Sequence, residues 1–416
     1  MIAIGEAQRR VWGACTPLEP VALAIADALG CVVARSVVSL EDVPPFDNTA
    51  VDGYAVVAAD VAATPVELAV AGVLAAGQAP SLVVRRGGAL RIMTGAAMPD
   101  GADAVVMVED SEELDDGARV RLRASVRAGD GVRRAGSDIA AGTEVLHAGT
   151  ALTAGHLGVL ASIGQSTVLA YPRAKVGVLS TGDELVDDAK ALQPGQIRES
   201  NRTMLLAAVS QANAVGVNLG TARDDEKELT AALERAVSSC DALLTSGGVS
   251  MGDYDLVKVV LDRIGDMQWM QIAIKPAKPF AFGLLHGPGG RRLPVFGLPG
   301  NPVSSYVSFE LLARPALRKM MGHVLFERSR VRAIVDEPLR RHPDAKVHYV
   351  RVHGAFGLDG RWHVRSTGPQ ASHQLAASAG ANGLAELTDG DGVEAGAEVE
   401  VLLLSWSGAA AVPSGS

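Results

Sequence analysis

The middle third of the chain constrains its fold most. Three short apolar runs, at 175–179, 242–244 and 294–297, each end in a glycine-containing turn. The turns are Ser180-Thr181-Gly182-Asp183-Glu184, Thr245-Ser246-Gly247-Gly248 and Leu298-Pro299-Gly300-Asn301-Pro302. Helical patterns follow at 200–213, with Ser200-Asn201 as the cap, at 255–264 and at 303–321. Strands alternating with helices predict an α/β domain on a parallel, doubly wound sheet. All three turns then lie at its carboxyl edge, where such sheets bind ligands.

The second turn has the chemistry of an anion cradle. Its bare backbone lets a ligand approach, and the N–H groups at a helix start are unpaired and partly positive. Asp253 and Asp255 follow in the same loop. Carboxylates beside an anion imply a bridging divalent cation, and hence phosphoryl-type chemistry. Read alone, Thr181-Gly182-Asp183-Glu184 is a turn with a capping acid. With two similar loops beside it, Glu184 becomes a candidate metal or ligand acid.

Lys275-Pro276-Ala277-Lys278-Pro279 is a stiff basic loop ahead of the apolar Phe280-Ala281-Phe282. A surface turn is the alternative, but the buried run behind it fixes the loop, and lysine is a point-charge oxyanion binder. In the third turn, Gly300 permits unusual backbone angles and Pro302 suits a helix start. A rigid turn leaves Asn301 and the Ser304-Ser305 pair unexplained, so a second oxyanion cradle is expected there.

With 416 residues, two to four domains are expected. A net charge of −9 argues against nucleic acid as a partner, though not against a small anion in a basic pocket. Three widely spaced cysteines fit a reducing compartment. The N-terminus carries Glu6, Arg9 and Arg10 and has no secretory core, and no apolar run spans a membrane. A cytoplasmic location follows as an expectation.

Residues 1–40 read as helical, with Ile25, Ala28, Leu29 and Val32 at helical spacing. Pro44-Pro45 breaks that pattern, and 44–133 reads as a Gly-rich β domain. Thr153 is placed to cap a helix through about 163. Short alternating strands over 325–404 predict a small β-barrel or sandwich, and 405–416 a disordered tail.

Seven segments in one order carry a resemblance. PPFDNTAVDGYAV, RIMTGAAMPDGADAVVMVED, LSTGDELV, GQIRESN, TSGGVSMGDYD, IKPAKPFAFG and GLPGNPVSS together resemble the molybdopterin molybdenumtransferase family, which includes bacterial MoeA and the C-terminal domain of gephyrin. The likeness runs from about residue 5 to 404. It implies four domains: 1–43 with 134–170, an inserted β domain at 44–133, the doubly wound molybdopterin-binding domain at 171–324, and a β domain at 325–404. It also implies a homodimer whose cleft joins the doubly wound domain of one subunit to the β domain of the other.

The implied reaction takes adenylylated molybdopterin and molybdate, with Mg²⁺, to molybdenum cofactor and AMP. The molybdopterin adenylyltransferase and downstream cofactor-handling proteins are the implied partners. By position, the resemblance assigns Asp52, Thr94, Asp138, Glu184, Asp224, Asp255, Lys275 and Ser372 to the site. Pro299 and Pro302 match by type. Of these, Asp52, Thr94, Glu184, Asp255 and Lys275 are expected to be catalytic, with Glu184 and Asp255 organising the metal. Asp138, Asp224, Ser246, Gly247, Gly248, Lys278, Pro299, Gly300, Asn301, Pro302 and Ser372 are expected to bind substrate. Gln271 stands where some bacterial members carry a lysine, and Ala371 where glycine is common. Two other readings are the adenylyltransferase itself, which shares the TSGG-containing fold, and a gephyrin-like scaffold.

Overall fold

The computed structural model describes residues 1–189, 191–248 and 256–405. Asp253, Asp255 and the 406–416 part of the expected tail lie outside the described residues. The chain divides into two compact units: 1–21 with 30–32 and 170 onward, and 22–29 with 33–169.

The larger unit is built on a six-stranded sheet ordered Val215–Ala222, Lys175–Thr181, Ala242–Ser246, Arg292–Leu298, Pro279–His286, Gly265–Gln271. The first four strands are parallel, and the last two add an antiparallel edge. From Lys175–Thr181 the chain moves first to Val215–Ala222 on one side and later to Ala242–Ser246 on the other. That reversal is a topological switch point, where open α/β sheets bind ligands. The register pairs Thr181 with Ala222, Ser180 with Ser246, and Ser246 with Leu298. The strands therefore end level, which sets the three glycine turns side by side.

Helix Glu226–Ser239, absent from the sequence reading, covers one face. Asp225 caps it, its side chain accepting from the N–H groups of Lys227 and Glu228. Its Leu229, Leu233, Ala236 and Val237 pack with Leu179, Leu243 and Val260. On the other face, helices Ile4–Ala14, Asn201–Gln211 and Pro302–Ser308 bury Val11, Leu205 and Val307 against Val178, Leu244 and Phe296.

Helical structure in the first 40 residues is confined to Ile4–Ala14 and a 3₁₀ turn at Ile25–Asp27, with strands Val21–Ala24, Val32–Val33 and Val37–Val38. The helical reading of 1–40 is thus corrected. Pro17 and Pro20 have no N–H to continue the helix, and Val32 and Val33 are buried β-branched residues suited to strands.

The segment at 325–404 is a barrel. Strands Arg330–Val335, Trp362–Ser366, Val347–Phe356, Gly383–Leu387 and Glu398–Leu403 pair in a closed ring around Val335, Val352, Val364, Ala385 and Val401. A short strand, Ile274–Lys275, runs parallel to Val347–Phe356 and sets Lys275 opposite His348. This pairing ties the basic loop to the barrel.

The smaller unit carries a second six-stranded sheet, ordered Ala104–Met107, Gly53–Val56, Gly88–Ile92, Val66–Leu74, Arg119–Leu122, Ser111–Leu114. Tyr54 and Val56 fill one core and Ala55 another, as the two-residue period requires. Thr153 caps helix Ala154–Ser162 in a capping box with His156.

Candidate functional site

The three turns are stitched together at the switch point. Thr181 Oγ1 donates to Ser246 O at 3.4 Å, and Gly247 N–H donates to Leu298 O at 3.1 Å. Asn201 Nδ2 reaches both Ser246 Oγ at 2.8 Å and Gly300 O at 2.7 Å. Asn201 thus bridges the second and third turns. Helix Asn201–Gln211 is not capped by a Ser200 side chain. Glu199 takes that role, accepting from Arg202 N at 2.7 Å and from Ser180 Oγ at 2.8 Å. The carboxylate favours the helix start on charge as well.

Gly247 and Gly248 need to be glycine. Their φ angles are +96° and +70°, and a Cβ on Gly247 would sit 2.8 Å from Thr181 O. The Gly247 N–H, however, is already bonded to Leu298 O, so it is not the free donor expected of an anion cradle. Parallel pairing consumes it. Gly300 does not adopt a positive φ, which corrects the expectation of an unusual backbone angle there. Asn301 ends at an extended backbone before helix Pro302–Ser308, with Pro302 in the first helical turn and Pro299 buried behind.

Acidic residues gather beside the first turn. Asp224 N donates to Asp183 Oδ1 at 3.1 Å. Partial burial and the charges of Asp183 and Glu184 push the Asp224 carboxyl above the ordinary carboxylate range. Among the described residues no three His, Cys, Asp or Glu side chains are arranged to cage a metal.

A cavity of about 790 Å³ opens between the basic loop, the third turn and the barrel. Lys275, Lys278, Asn301, Ser304, His348 and Ser372 line it, together with Arg340, Arg341 and Lys346. The last three cations are matched: Arg340 by Glu394, Arg341 by Asp344 and Asp389, and Lys346 by Asp344. The Lys346 ammonium and His348 together hold Asp344 down to about 2. Burial lowers the His348 pKa, and the Arg341 and Lys275 charges add to this against the pull of Asp344, so the ring stays neutral near pH 7. Lys275 and Lys278 have no carboxylate partner among the described residues. They carry the cavity's uncompensated charge.

Ser372 arrives on a loop that the sequence reading did not connect to any support. Its carbonyl accepts from Val303 N at 3.1 Å. Behind it lies Arg351, only 1% exposed, donating to Gln370 Oε1, Gln374 O and Pro369 O at 3.2, 2.6 and 2.8 Å. Arg351 and His348 are the participants that sequence reasoning missed, whereas it reads Asn201 only as part of a helix cap and Ser304 as one of an unexplained serine pair.

In the smaller unit, Thr94 donates to Asp52 Oδ1 through both its N–H and its hydroxyl, at 2.7 and 2.8 Å. Those bonds hold the Asp52 carboxyl below its usual range, with the nearby Arg91 charge adding to them. Asp138 is exposed, its N–H donating to Val43 O at 2.9 Å. Asp52 and Thr94 are therefore one hydrogen-bonded constellation.

A switch-point α/β domain joined to a closed barrel defines the class as a multidomain α/β protein with ligand-binding turns at the carboxyl edge of its sheet. Residues 2–164 match the MoeA N-terminal region (domains I and II), 177–319 a probable molybdopterin binding domain, and 332–404 the MoeA C-terminal region (domain IV). The chain belongs to the MoeA family of molybdopterin molybdenumtransferases. It is 39% identical to molybdopterin molybdenumtransferase 2 of Mycobacterium tuberculosis, over 96% of this chain and 99% of that one. It is 37% identical to the molybdopterin molybdenumtransferase of Haemophilus influenzae, over 87% and 88%. A solved molybdopterin biosynthesis MoeA protein from Pyrococcus horikosii superposes with a TM-score of 0.79 at 31% identity, covering 97% of this chain and 99% of that one.

Proposed function

We propose that this chain transfers molybdenum from molybdate to adenylylated molybdopterin, releasing AMP and molybdenum cofactor, and that the oxyanion sits in the cavity under Lys275 and Lys278. One observation carries the second part. Arg340, Arg341 and Lys346 in that cavity each have a carboxylate partner, whereas these two lysines have none among the described residues. A tetrahedral dianion supplies the missing charge, and the Ser304 and Ser372 hydroxyls and the Asn301 amide offer uncharged hydrogen bonds.

The switch-point turns adjoin this cavity through Asn301 and suit the pterin and its pyrophosphate. Glu184, Asp183 and Asp224 offer the oxygen ligands that Mg²⁺ prefers. Their mutual repulsion, seen in Asp224, fits a cation that joins on substrate binding. Mg²⁺ there would neutralise charge on the pyrophosphate during hydrolysis. Lys275 and Lys278 then hold the oxyanion close to the dithiolene, so that sulfur replaces oxygen at molybdenum. The reading also includes Asp255 among the cation's carboxylates.

We further propose a cytoplasmic homodimer, in which Asp52 and Thr94 of one subunit act on substrate bound to the other. No helix among the described residues is long and apolar enough to cross a membrane. The test is AMP release from adenylylated molybdopterin, with molybdate or tungstate and Mg²⁺. Release is expected only with oxyanion and cation together, and Lys275→Gln with Lys278→Gln should raise the KM for the oxyanion. AMP release independent of both would defeat the reading.

A further inference from the structure

Away from that cavity, a cluster of largely buried cations gathers on the helix that begins at Pro302. The helix beginning at Pro302 continues as a π-helical turn, Phe309–Ala313, and then as Arg314–Met320. It carries Glu310, Arg314 and Arg318, and Arg328 reaches them from the segment before the barrel. Arg328 takes both oxygens of Glu310, at 2.8 and 3.0 Å, and donates to Leu404 O at 2.7 Å.

Arg314 is left poorly served. It lies 3.8 Å from Glu310 and 3.4 Å from Phe326 O, and its buried Nε has no hydrogen-bond partner among the described residues. Arg318 Nη2 meets His323 Nδ1 at 3.1 Å. Burial and the two neighbouring arginines hold the His323 pKa down to about 4, so the ring is neutral. Nδ1 accepts from Arg318, so the ring's proton is on Nε2, which is buried and also unpartnered.

Arg328 and Arg314 thus face the one buried carboxylate, Glu310, while Arg318 beside them meets only a backbone carbonyl and the neutral His323, so among the described residues this cluster holds two more largely buried positive charges than negative ones. A cavity of about 290 Å³ opens against Arg314, Arg318, Arg328 and Ser329, with Glu327 among its lining residues. Buried charge of this kind costs several kcal/mol unless a counter-charge joins it. Guanidinium forks fit tetrahedral oxyanions.

We propose that this cavity binds a small inorganic dianion of the phosphate class, at a site separate from the cavity of Lys275 and Lys278. The dianion matches the two unpaired charges and gives the Arg314 fork the acceptors it lacks. It fastens the helix to the end of the last barrel strand, at Leu403 and Leu404. The same helix presents Ser304 to the functional cavity.

The probe is inorganic phosphate, compared with chloride at equal ionic strength. The protein is the full chain carrying Lys275→Gln and Lys278→Gln, which silences the other oxyanion site. Thermal midpoints should rise with phosphate along a saturating curve, as for a ligand bound only by the native state. Arg318→Gln should weaken the apparent affinity about tenfold or more, the loss of a charge-assisted bond. Glu327→Gln should act oppositely and tighten it by about twofold, because a repelling charge near the cavity is removed. Glu327 is exposed, so that variant folds and its sign decides even if Arg318→Gln does not fold. Phosphate no more effective than chloride in this background, or a response indifferent to both substitutions, overturns the proposal.

Discussion

Arg351→Lys isolates a support that no functional motif announces. Arg351 is buried with no carboxylate partner among the described residues, and its fork is spent on the loop that carries Ser372. Gln370 answers by donating to Arg351 O at 3.1 Å. Lysine keeps the charge but gathers its donors at one point, so it cannot reach Gln370 Oε1, Pro369 O and Gln374 O together. Losing two of the three bonds costs about 1–3 kcal/mol at ordinary net values. If the loop's position is what this energy secures, the KM for molybdate rises about thirtyfold at the middle of that range. Arg351 does not line the cavity, so kcat at saturating molybdate should change by no more than about twofold. AMP release against molybdate concentration gives both parameters, and hydrogen exchange over 369–378 reports the loop directly. An unchanged KM with unchanged exchange would refute the positioning argument. A fall in kcat alone would do so too, because it would place Arg351 on the reacting groups.

Gly247→Ala forces a Cβ to within 2.8 Å of Thr181 O at a φ of +96°; the expected cost is about 2–4 kcal/mol, read by urea denaturation, and a loss below about 1 kcal/mol would deny the close approach. Asp183→Asn keeps an acceptor for Asp224 N while removing a charge that raises the Asp224 pKa. Asp224 must be ionised to bind a cation, so Mg²⁺ dependence is lost as pH falls through its raised pKa. The variant should move that acid limb to lower pH, and an unmoved limb would separate Asp183 from the site. Asp52→Ala and Glu184→Ala proteins, each inactive alone, should regain partial activity when their subunits exchange; proven exchange without recovery argues against a shared site.

What the sequence disclosed depended on how local the signal was. Lys275 and Lys278 were legible because prolines and a buried apolar run leave a basic loop few alternatives. The helix Glu226–Ser239 was equally legible, with Asp225 as its cap and Leu229, Ala232, Leu233 and Ala236 at helical spacing; it was passed over, while the helical spacing of Ile25, Ala28, Leu29 and Val32 misled. That error has a cause: four apolar residues at helical spacing mean little where Gly30, at a φ of +75°, breaks the ladder between them. Arg351 and the Gly247 N–H were illegible for a different reason. In Val350-Arg351-Val352 a cation alternates with apolar residues, which reads as a solvent-facing strand position. Only the loop at 369–374, folded over that face of the barrel, buries it. Likewise, whether Gly247 offers its N–H to a ligand depends on its register with Leu298, some fifty positions away. Turn chemistry points to candidate anion sites, but which groups remain free to bind an anion depends on long-range pairing. That is why the uncompensated lysines, and not the glycine N–H expected at the outset, now carry the oxyanion assignment.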